Sequence, residues 1–384
     1  MRRALLLAGL LLFAACAPNR GEAYQKALSE AQRLHNAGRF EESAAKYDEA
    51  AREAKVPRDA VFMRYQAALV RIRAGDRARG AKELREIANA NPPNAYSAQA
   101  AFKLADLSWD TDKSAGYPEL EAMALKFPEN GVAWVALQRL FRYDDENGGP
   151  QKALAHIEAL AARTKSAHLE ELLAYERARR LDMLGRSAEA RDAYVDVANR
   201  WPYPHGAFFD DALYRASEME EKLGRPKEAI DHLERMLSFR EKSTTIGSYE
   251  RPRYVPAVLR IAKLYEERLD DRQKARETLH RLYSEFTTST LRDDALWREA
   301  ELWRKDGDSE KMCDRLATLA DDFPDSRYVP CVIEKCPRVQ RKAKSKAPKT
   351  CHAYLVREAT SHEAESEGTP TPVIDTTRPD DPAK

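Results

Sequence analysis

The sequence predicts an all-α protein made of about eight consecutive helical hairpins, and three observations support this prediction. Apolar residues recur at helical spacing with a period of about 37 residues. Glycine, proline and aromatic residues interrupt the chain at matching points of successive periods. The composition is typical of a helical protein, with 33% charged and 43% hydrophobic residues and only 15 glycines among 384 residues.

The period is clearest in one helix of each hairpin. A small residue, or Met in the last set, is followed by apolar residues four and seven positions later, which places all three on one helix face. Successive sets begin 36 to 39 residues apart, with one interval of 46. The sets are Ser43/Tyr47/Ala50, Gly80/Leu84/Ile87, Gly116/Leu120/Met123, Ala153/Ile157/Leu160, Ala190/Tyr194/Val197, Ala229/Leu233/Met236, Ala275/Leu279/Leu282 and Met312/Leu316/Leu319.

Stop signals divide each period into two helices. A glycine five residues before the small residue predicts the end of the first helix, because glycine adopts the left-handed conformation that a helix C-terminus needs. These glycines are Gly38, Gly75, Gly148, Gly185, Gly224 and Gly307. An aromatic residue followed by proline ends several second helices, as at Phe127-Pro128 and Phe323-Pro324.

This pattern resembles the tetratricopeptide repeat over residues 23–330. The resemblance implies a solenoid with a right-handed superhelix, in which neighbouring hairpins supply the core that one hairpin cannot bury alone. It also implies a non-enzymatic scaffold whose partners are proteins or peptides. An irregular helical bundle is the alternative fold.

The N-terminal segment predicts export. Arg2 and Arg3 precede a short apolar run, which is followed by two alanines and Cys16. Phe13-Ala14-Ala15-Cys16 resembles a bacterial lipobox, which implies a signal peptide over residues 1–15, acylation of Cys16 and a linker over residues 16–22. Ala17, by the same resemblance, favours the outer membrane facing the periplasm. The alternative is a secreted protein cut near Ala15.

Two stretched intervals predict loops that contact a partner, since Tyr, Trp and Arg are favoured interface anchors. The candidate anchors are Trp201, Tyr203 and Phe208 in the first loop and Tyr249, Arg251, Arg253 and Tyr254 in the second. The alternative is that both loops only fill an irregularity between repeats.

The remaining four cysteines, Cys313, Cys331, Cys336 and Cys351, cluster near the C-terminus and predict two disulfides. Three of them lie in residues 331–358, which we expect to form a cysteine-rich cap with a basic loop. Helix packing around Pro324 would pair Cys313 with Cys336, whereas packing around the lysine-rich segment would pair Cys336 with Cys351. The sequence leaves both pairings open. Zinc binding is a weak alternative, because the spacing of Cys331 and Cys336 is poor for a zinc knuckle.

The end of the chain is strongly charged. Seven basic residues and no acid lie between positions 335 and 349, which predicts either a solvated loop or a surface for an anionic partner. Residues 359–384 are rich in Glu, Asp, Thr and Pro, and we expect this tail to be too polar to fold alone.

The sequence predicts no enzyme, no cofactor and no metal site. It has no phosphate-binding loop, no His-Glu-x-x-His and no Gly-x-Ser-x-Gly, and the eight histidines are scattered. With net charge +1 and an exported start, nucleic acid is not an expected partner.

The sequence therefore predicts a membrane-anchored scaffold of a bacterial envelope complex for outer-membrane protein assembly, secretion or motility. The lipobox and Phe323-Pro324-Asp325-Ser326 resemble tetratricopeptide lipoproteins of the β-barrel assembly machinery (BamD type), and the second motif also resembles the periplasmic partner of Tol-Pal. The alternative is a peptidoglycan-binding or cell-wall-remodelling factor, similar to the superhelix of a lytic transglycosylase without its catalytic domain.

Overall fold

The computed structural model describes residues 20–241, 251–352 and 355. Within these residues the chain forms 17 α-helices and no strand, which confirms the all-α prediction. The first helices of the eight repeats are α1 (Glu22–Asn36), α3 (Pro57–Ala74), α5 (Ser97–Thr111), α7 (Gly131–Glu146), α9 (Ala167–Met183), α11 (Phe209–Lys222), α13 (Tyr254–Glu267) and α15 (Arg292–Lys305). The second helices are α2 (Phe40–Glu53), α4 (Arg77–Ala88), α6 (Lys113–Lys126), α8 (Gly149–Ala161), α10 (Ser187–Arg200), α12 (Pro226–Leu237), α14 (Arg272–Glu285) and α16 (Ser309–Asp322), and α17 (Val329–Lys335) follows the last repeat.

The repeating apolar sets form the core of the second helices. Every member of the eight sets is buried, from Ser43 on α2 to Leu319 on α16. The helical period found in the sequence thus marks the buried face of each second helix correctly.

At the small position of the first three sets, the two helices of a hairpin approach each other closely. A Cβ atom on Gly116 would lie 2.3 Å from the backbone nitrogen of Trp109, and one on Gly80 would lie 2.6 Å from the carbonyl oxygen of Ala68. Ser43 occupies the same position in the first repeat, and its hydroxyl donates a 2.8 Å hydrogen bond to the carbonyl oxygen of Ala31. Larger side chains would force these helices apart.

In seven of the eight hairpins the turn after the first helix contains one residue with positive φ, and the third hairpin turns at Asp112 with φ −150° instead. Gly185, at φ 71°, shows the predicted arrangement. The prediction was wrong at Gly148, which is extended at φ 177°, because Gly149 takes the left-handed conformation one residue later. Asp270 stands at the matching turn of the seventh repeat with φ 49°, so a residue with a Cβ atom adopts this conformation there.

The described residues divide into two compact units, with the boundary between Leu223 and Gly224. In the first unit, a large apolar cluster of the described residues is centred on Leu137, Phe141 and Ile157. In the second unit, the apolar cluster of the C-terminal end includes Leu316, Val332 and the two cysteines Cys331 and Cys336. No helix in the described parts of the chain has both the length and the apolar character required to cross a bilayer.

Two disulfides bind α17 and the chain that follows it to the last repeat. Cys313 on α16 pairs with Cys336, and their Cα atoms are 5.7 Å apart. Cys331 on α17 pairs with Cys351, with a Cα separation of 4.6 Å. Of the two pairings left open by the sequence, the structure contains Cys313–Cys336, and all four cysteines are used.

Candidate protein-interaction surface

An aromatic residue directly before a first helix stacks on the preceding first helix at several places. Tyr96, before α5, stacks on Phe62 and Tyr65 of α3, with ring centroids 5.0 and 5.6 Å apart. Tyr328, before α17, stacks in the same way on Trp297 of α15 at 4.7 Å. Such offset stacks add to apolar burial and fix the angle at which one repeat meets the next.

A stack of four rings includes Phe208, which precedes α11. Its ring lies 4.2 Å from the ring of Tyr175 and 5.2 Å from that of Trp134, and Trp134 also stacks on His168 at 4.7 Å. Four side chains from three consecutive repeats therefore form one continuous column. Both faces of the Phe208 ring are occupied from within the chain.

A carboxylate fixes the backbone next to this column. The side chain of Glu171 on α9 is buried and accepts a 3.0 Å hydrogen bond from the backbone N–H of Phe208. Burial raises the pKa of Glu171 above its ordinary value, although backbone hydrogen bonds from Phe208 and Ala207 act in the opposite direction. Glu171 thus caps the start of α11 from the neighbouring repeat, a role usually taken by a local residue.

Charged side chains also connect successive first helices. In four such pairs, an acid on one first helix pairs with a cation on the next first helix. The N–O pairs within the two units are Asp106–Arg139 at 2.6 Å, Asp145–Arg180 at 2.8 Å, Asp182–Lys222 at 2.5 Å and Glu266–Lys305 at 2.8 Å.

The first-helix side of repeats two to four combines half-buried rings with charge. We call Phe62, Tyr65, Tyr96 and Phe102 the aromatic shelf, and all four side chains are half-buried. The Arg139 guanidinium lies 5.5 Å from the centre of the Phe102 ring. Partly exposed rings beside fixed charges are the pattern of an interface anchor, because a partner can bury the remaining apolar area.

Asp106 is a charged group of this surface and affects the pKa of Tyr65. Burial would raise its pKa, but hydrogen bonds from Lys103 and Arg139 outweigh burial and lower it. The carboxylate is therefore charged at neutral pH. Burial, followed by the nearby charge of Asp106, raises the pKa of Tyr65 to about 12, so the shelf presents a neutral phenol beside an ion cluster.

A second polar cluster joins helices of the third and fourth repeats. The carboxylate of Asp144 is 0% exposed, and its Oδ2 lies 2.7 Å from both the Tyr117 hydroxyl and His156 Nδ1. His156 Nε2 lies 3.1 Å from Glu121. Sequence analysis missed this cluster because its members are up to 39 residues apart. No group in the described residues has the arrangement of a metal site.

The predicted loop anchors have different environments. In the first loop, Trp201 and Tyr203 are half-buried, and the Arg200 guanidinium lies 4.2 Å from the Trp201 ring. The carbonyl oxygen of Trp201 leaves no room for a Cβ atom on Gly206. Phe208 belongs to the aromatic column, so its ring connects repeats.

In the second loop, Tyr254 is 1% exposed and begins α13, so its ring is not available to a partner in this structure. The Arg251 guanidinium stacks on this ring at 4.6 Å, and Arg253 precedes the helix. Tyr249 and the proposed lipidation site Cys16 lie outside the described residues. A role for these residues in partner binding stays a prediction.

Stacked helical hairpins with this geometry define a helical-repeat protein. Residues 257–289 and 294–326 match the sequence profile of the tetratricopeptide repeat, and these two segments cover most of α13–α14 and of α15–α16 and extend into the chain that follows each pair. The seventh and eighth hairpins therefore carry the tetratricopeptide pattern. Proteins built from such repeats are typically non-catalytic scaffolds that bind other proteins or peptides.

Several solved structures are similar to this chain. MamA shares 15% identity, with a TM-score of 0.34, over 55% of this chain and 96% of its own. A Podosopora anserina protein with TPR-like repeats shares 17% identity, with a TM-score of 0.37, over 49% of this chain and 96% of its own. A tetratricopeptide repeat protein from Parabacteroides merdae shares 10% identity, with a TM-score of 0.32, over 72% of this chain and 98% of its own. A sequence comparison with the curated proteins finds no match.

Proposed function

We propose that this protein is a lipid-anchored scaffold of a bacterial envelope complex, held at the outer membrane through Cys16, and that its aromatic shelf binds a protein partner. The lipobox-like segment that ends at Cys16 supports the anchor. The tetratricopeptide repeats support the scaffold role.

The observation that carries the binding role is the aromatic shelf. Half-buried rings beside fixed charges add little to the stability of the free protein. A partner that covers this surface excludes water from the rings and from the charges. The surface best fits a partner segment that is apolar and flanked by charged residues, because Phe102 is adjacent to the Asp106–Arg139 pair.

The first experiment is purification of the tagged, full-length protein from cross-linked envelopes, followed by mass spectrometry. We expect a stoichiometric set of envelope proteins. Phe102→Ala should reduce recovery about tenfold, the loss typical of an interface anchor. Recovery of peptidoglycan fragments without protein would contradict the scaffold and favour the cell-wall alternative.

Phe40 provides a matched control within the same unit. It is also half-buried and also lies under a guanidinium, with Arg73 5.0 Å from its ring centre, but it begins a second helix. Phe40→Ala should therefore destabilise the fold to a similar extent and leave partner recovery unchanged. An equal loss of recovery in both variants would show that stability, and not the shelf, determines binding.

The anchor is tested separately. Cys16→Ser should move the protein from the membrane fraction to the soluble periplasm, because a single amino-acid change removes every acyl chain. If the variant stays on the membrane, the lipid anchor is wrong, and the binding role of the shelf is unaffected.

A further inference from the structure

The basic run near the C-terminus is held in a defined conformation. We call residues 337–350 the basic loop. Its ends are fixed by the two disulfides, and its middle is fixed where the backbone N–H of Lys346 donates a 2.6 Å hydrogen bond to Asp325 and the Ser345 hydroxyl donates to the carbonyl oxygen of Pro324. The loop therefore displays its side chains from a fixed backbone.

The seven basic residues of this region have two different roles. Four of them hold the cap in place, three by contacts with the last repeat and one by a contact within the loop. Their contacts are Lys335 with Glu301 at 2.8 Å, Arg338 with Asp314 at 2.6 Å, Arg341 with the carbonyl oxygen of Pro348 at 2.7 Å and Lys342 with the carbonyl oxygen of Asp321 at 2.6 Å.

The other three, Lys344, Lys346 and Lys349, are exposed. None of them forms an ion pair with any residue in the described parts of the chain. Three exposed cations that form no ion pair in the described residues are thus concentrated on one fixed loop, which raises the local positive potential. The Asp325 carboxylate, which accepts from the backbone N–H of Lys346, offsets part of this potential.

The chain itself supplies a segment of the opposite charge. Residues 356–384 contain seven acids and three basic residues. They follow Leu355, which is buried in the apolar cluster of the cap, and Cys351, which is bonded to Cys331. The first four acids, Glu358, Glu363, Glu365 and Glu367, come within 12 residues of Leu355.

A tether this short produces a high effective concentration. Twelve residues span at most roughly 40 Å, and linkage over so short a stretch of chain gives effective concentrations in the millimolar range. A weak electrostatic contact that would fail between separate molecules can therefore form within one chain.

We propose that the acidic segment of residues 358–367 binds across the basic loop and pairs with Lys344, Lys346 and Lys349. The segment covers the positive surface of the cap, so an external polyanion has to displace it. This inference does not depend on the proposed scaffold function.

The test measures how fast each lysine of the full-length, disulfide-bonded protein is acetylated, with peptide mass spectrometry as the readout. Neutralising the four proximal acids (Glu→Gln) should speed acetylation of the three loop lysines at least about threefold at 20 mM salt, since exposed ion pairs are individually weak. At 0.5 M salt the difference should vanish, because the screening length falls to about 4 Å.

Two controls are built into the chain. Lys227 on α12 is exposed and distant in sequence, and its rate should not change. Neutralising the distal acids Asp375, Asp380 and Asp381 (Asp→Asn) should leave the loop lysines protected. Equal acetylation rates of the loop lysines in the wild type and in the proximal variant would overturn the proposal. If the loop lysines are acetylated faster only in the distal variant, the assignment to residues 358–367 is wrong.

Zero-length cross-linking with a carbodiimide identifies the contact directly. We expect amide bonds between the loop lysines and residues 358–367 in the monomer fraction. Cross-links found only in dimers would show that a second copy is the partner, which would overturn the intramolecular contact.

Discussion

Phe208 and Tyr328 occupy equivalent positions before a helix, but they are stabilised differently. The Phe208 ring lies between Tyr175 and Trp134, and the full-length helix α11 follows it. Among the described residues, the Tyr328 ring stacks on one aromatic ring, that of Trp297, and the Arg327 guanidinium lies 5.0 Å from its centre. The helix that follows, α17, has only seven residues. Beyond α17, two disulfides and a loop of polar contacts replace regular repeats.

This difference shows what a repeat gains from its neighbours. An inner repeat buries its apolar face on the repeats before and after it. The described part of the C-terminal cap has no full hairpin to supply that contact, and covalent bonds restrict its unfolded chain instead. The same aromatic position is thus stabilised by packing in one place and by cross-links in the other.

The largest expected effect comes from removing the disulfides. Each bridge closes a loop of about 20 residues and should contribute roughly 3 kcal/mol. In Cys331→Ala/Cys351→Ala we expect amide hydrogen exchange of α17 to accelerate about 100-fold, with the amides of α9 unchanged. Unchanged protection of α17 would mean that packing on Trp297 is sufficient.

Phe208→Ala should produce the next largest effect, a loss of roughly 2–3 kcal/mol, because the column loses its central ring. Urea unfolding of the first unit measures the loss, and Phe208→Leu, which keeps apolar volume, should cost less. The loss of stability caused by Tyr328→Ala should be larger when the disulfides have been removed, whereas the loss caused by Phe208→Ala should be the same with and without them. The opposite coupling in this double-mutant cycle would contradict the comparison.

The turns after α9 and α13 should respond to substitution in opposite directions. Gly185→Ala places a Cβ atom at φ 71° and should destabilise by about 1 kcal/mol. Asp270→Gly removes a Cβ atom at φ 49° and should stabilise by up to about 1 kcal/mol. Thermal unfolding measures both changes, and a destabilising Asp270→Gly would show that its carboxylate is needed.

Asp306→Asn should have the smallest effect, less than about 1 kcal/mol, because its ion pairs are partly exposed. Hydrogen bonds from Arg272 lower the pKa of Asp306, so its contribution is complete above the unfolded pKa of about 4 and is lost as pH falls through the lower folded value. Urea unfolding at pH 7 and near pH 2 measures this change. A difference between wild type and variant that persists near pH 2 would contradict the ion-pair explanation.

Much of the fold could be predicted from local patterns. The buried sets from Ser43 to Leu319 follow from the helical period, since each set needs only residues on one helix. The turn glycines follow from backbone sterics, with an error of one residue at Gly148. The candidate surface was not predicted. Loop composition suggested Phe208 and Tyr254 as anchors, whereas the structure places one in an internal column and buries the other.

The sequence by itself determined the helical repeats, their boundaries and the presence of a cysteine-rich end, because helix periodicity, glycine and proline act within a few residues. Only the tertiary structure decided which distant side chains meet. The Tyr117–Asp144–His156 cluster, the Glu171 cap on Phe208 and the Cys331–Cys351 bridge each join residues 20 or more positions apart. Such contacts depend on how successive repeats are rotated against each other, and that rotation is set by the packing of all their side chains together.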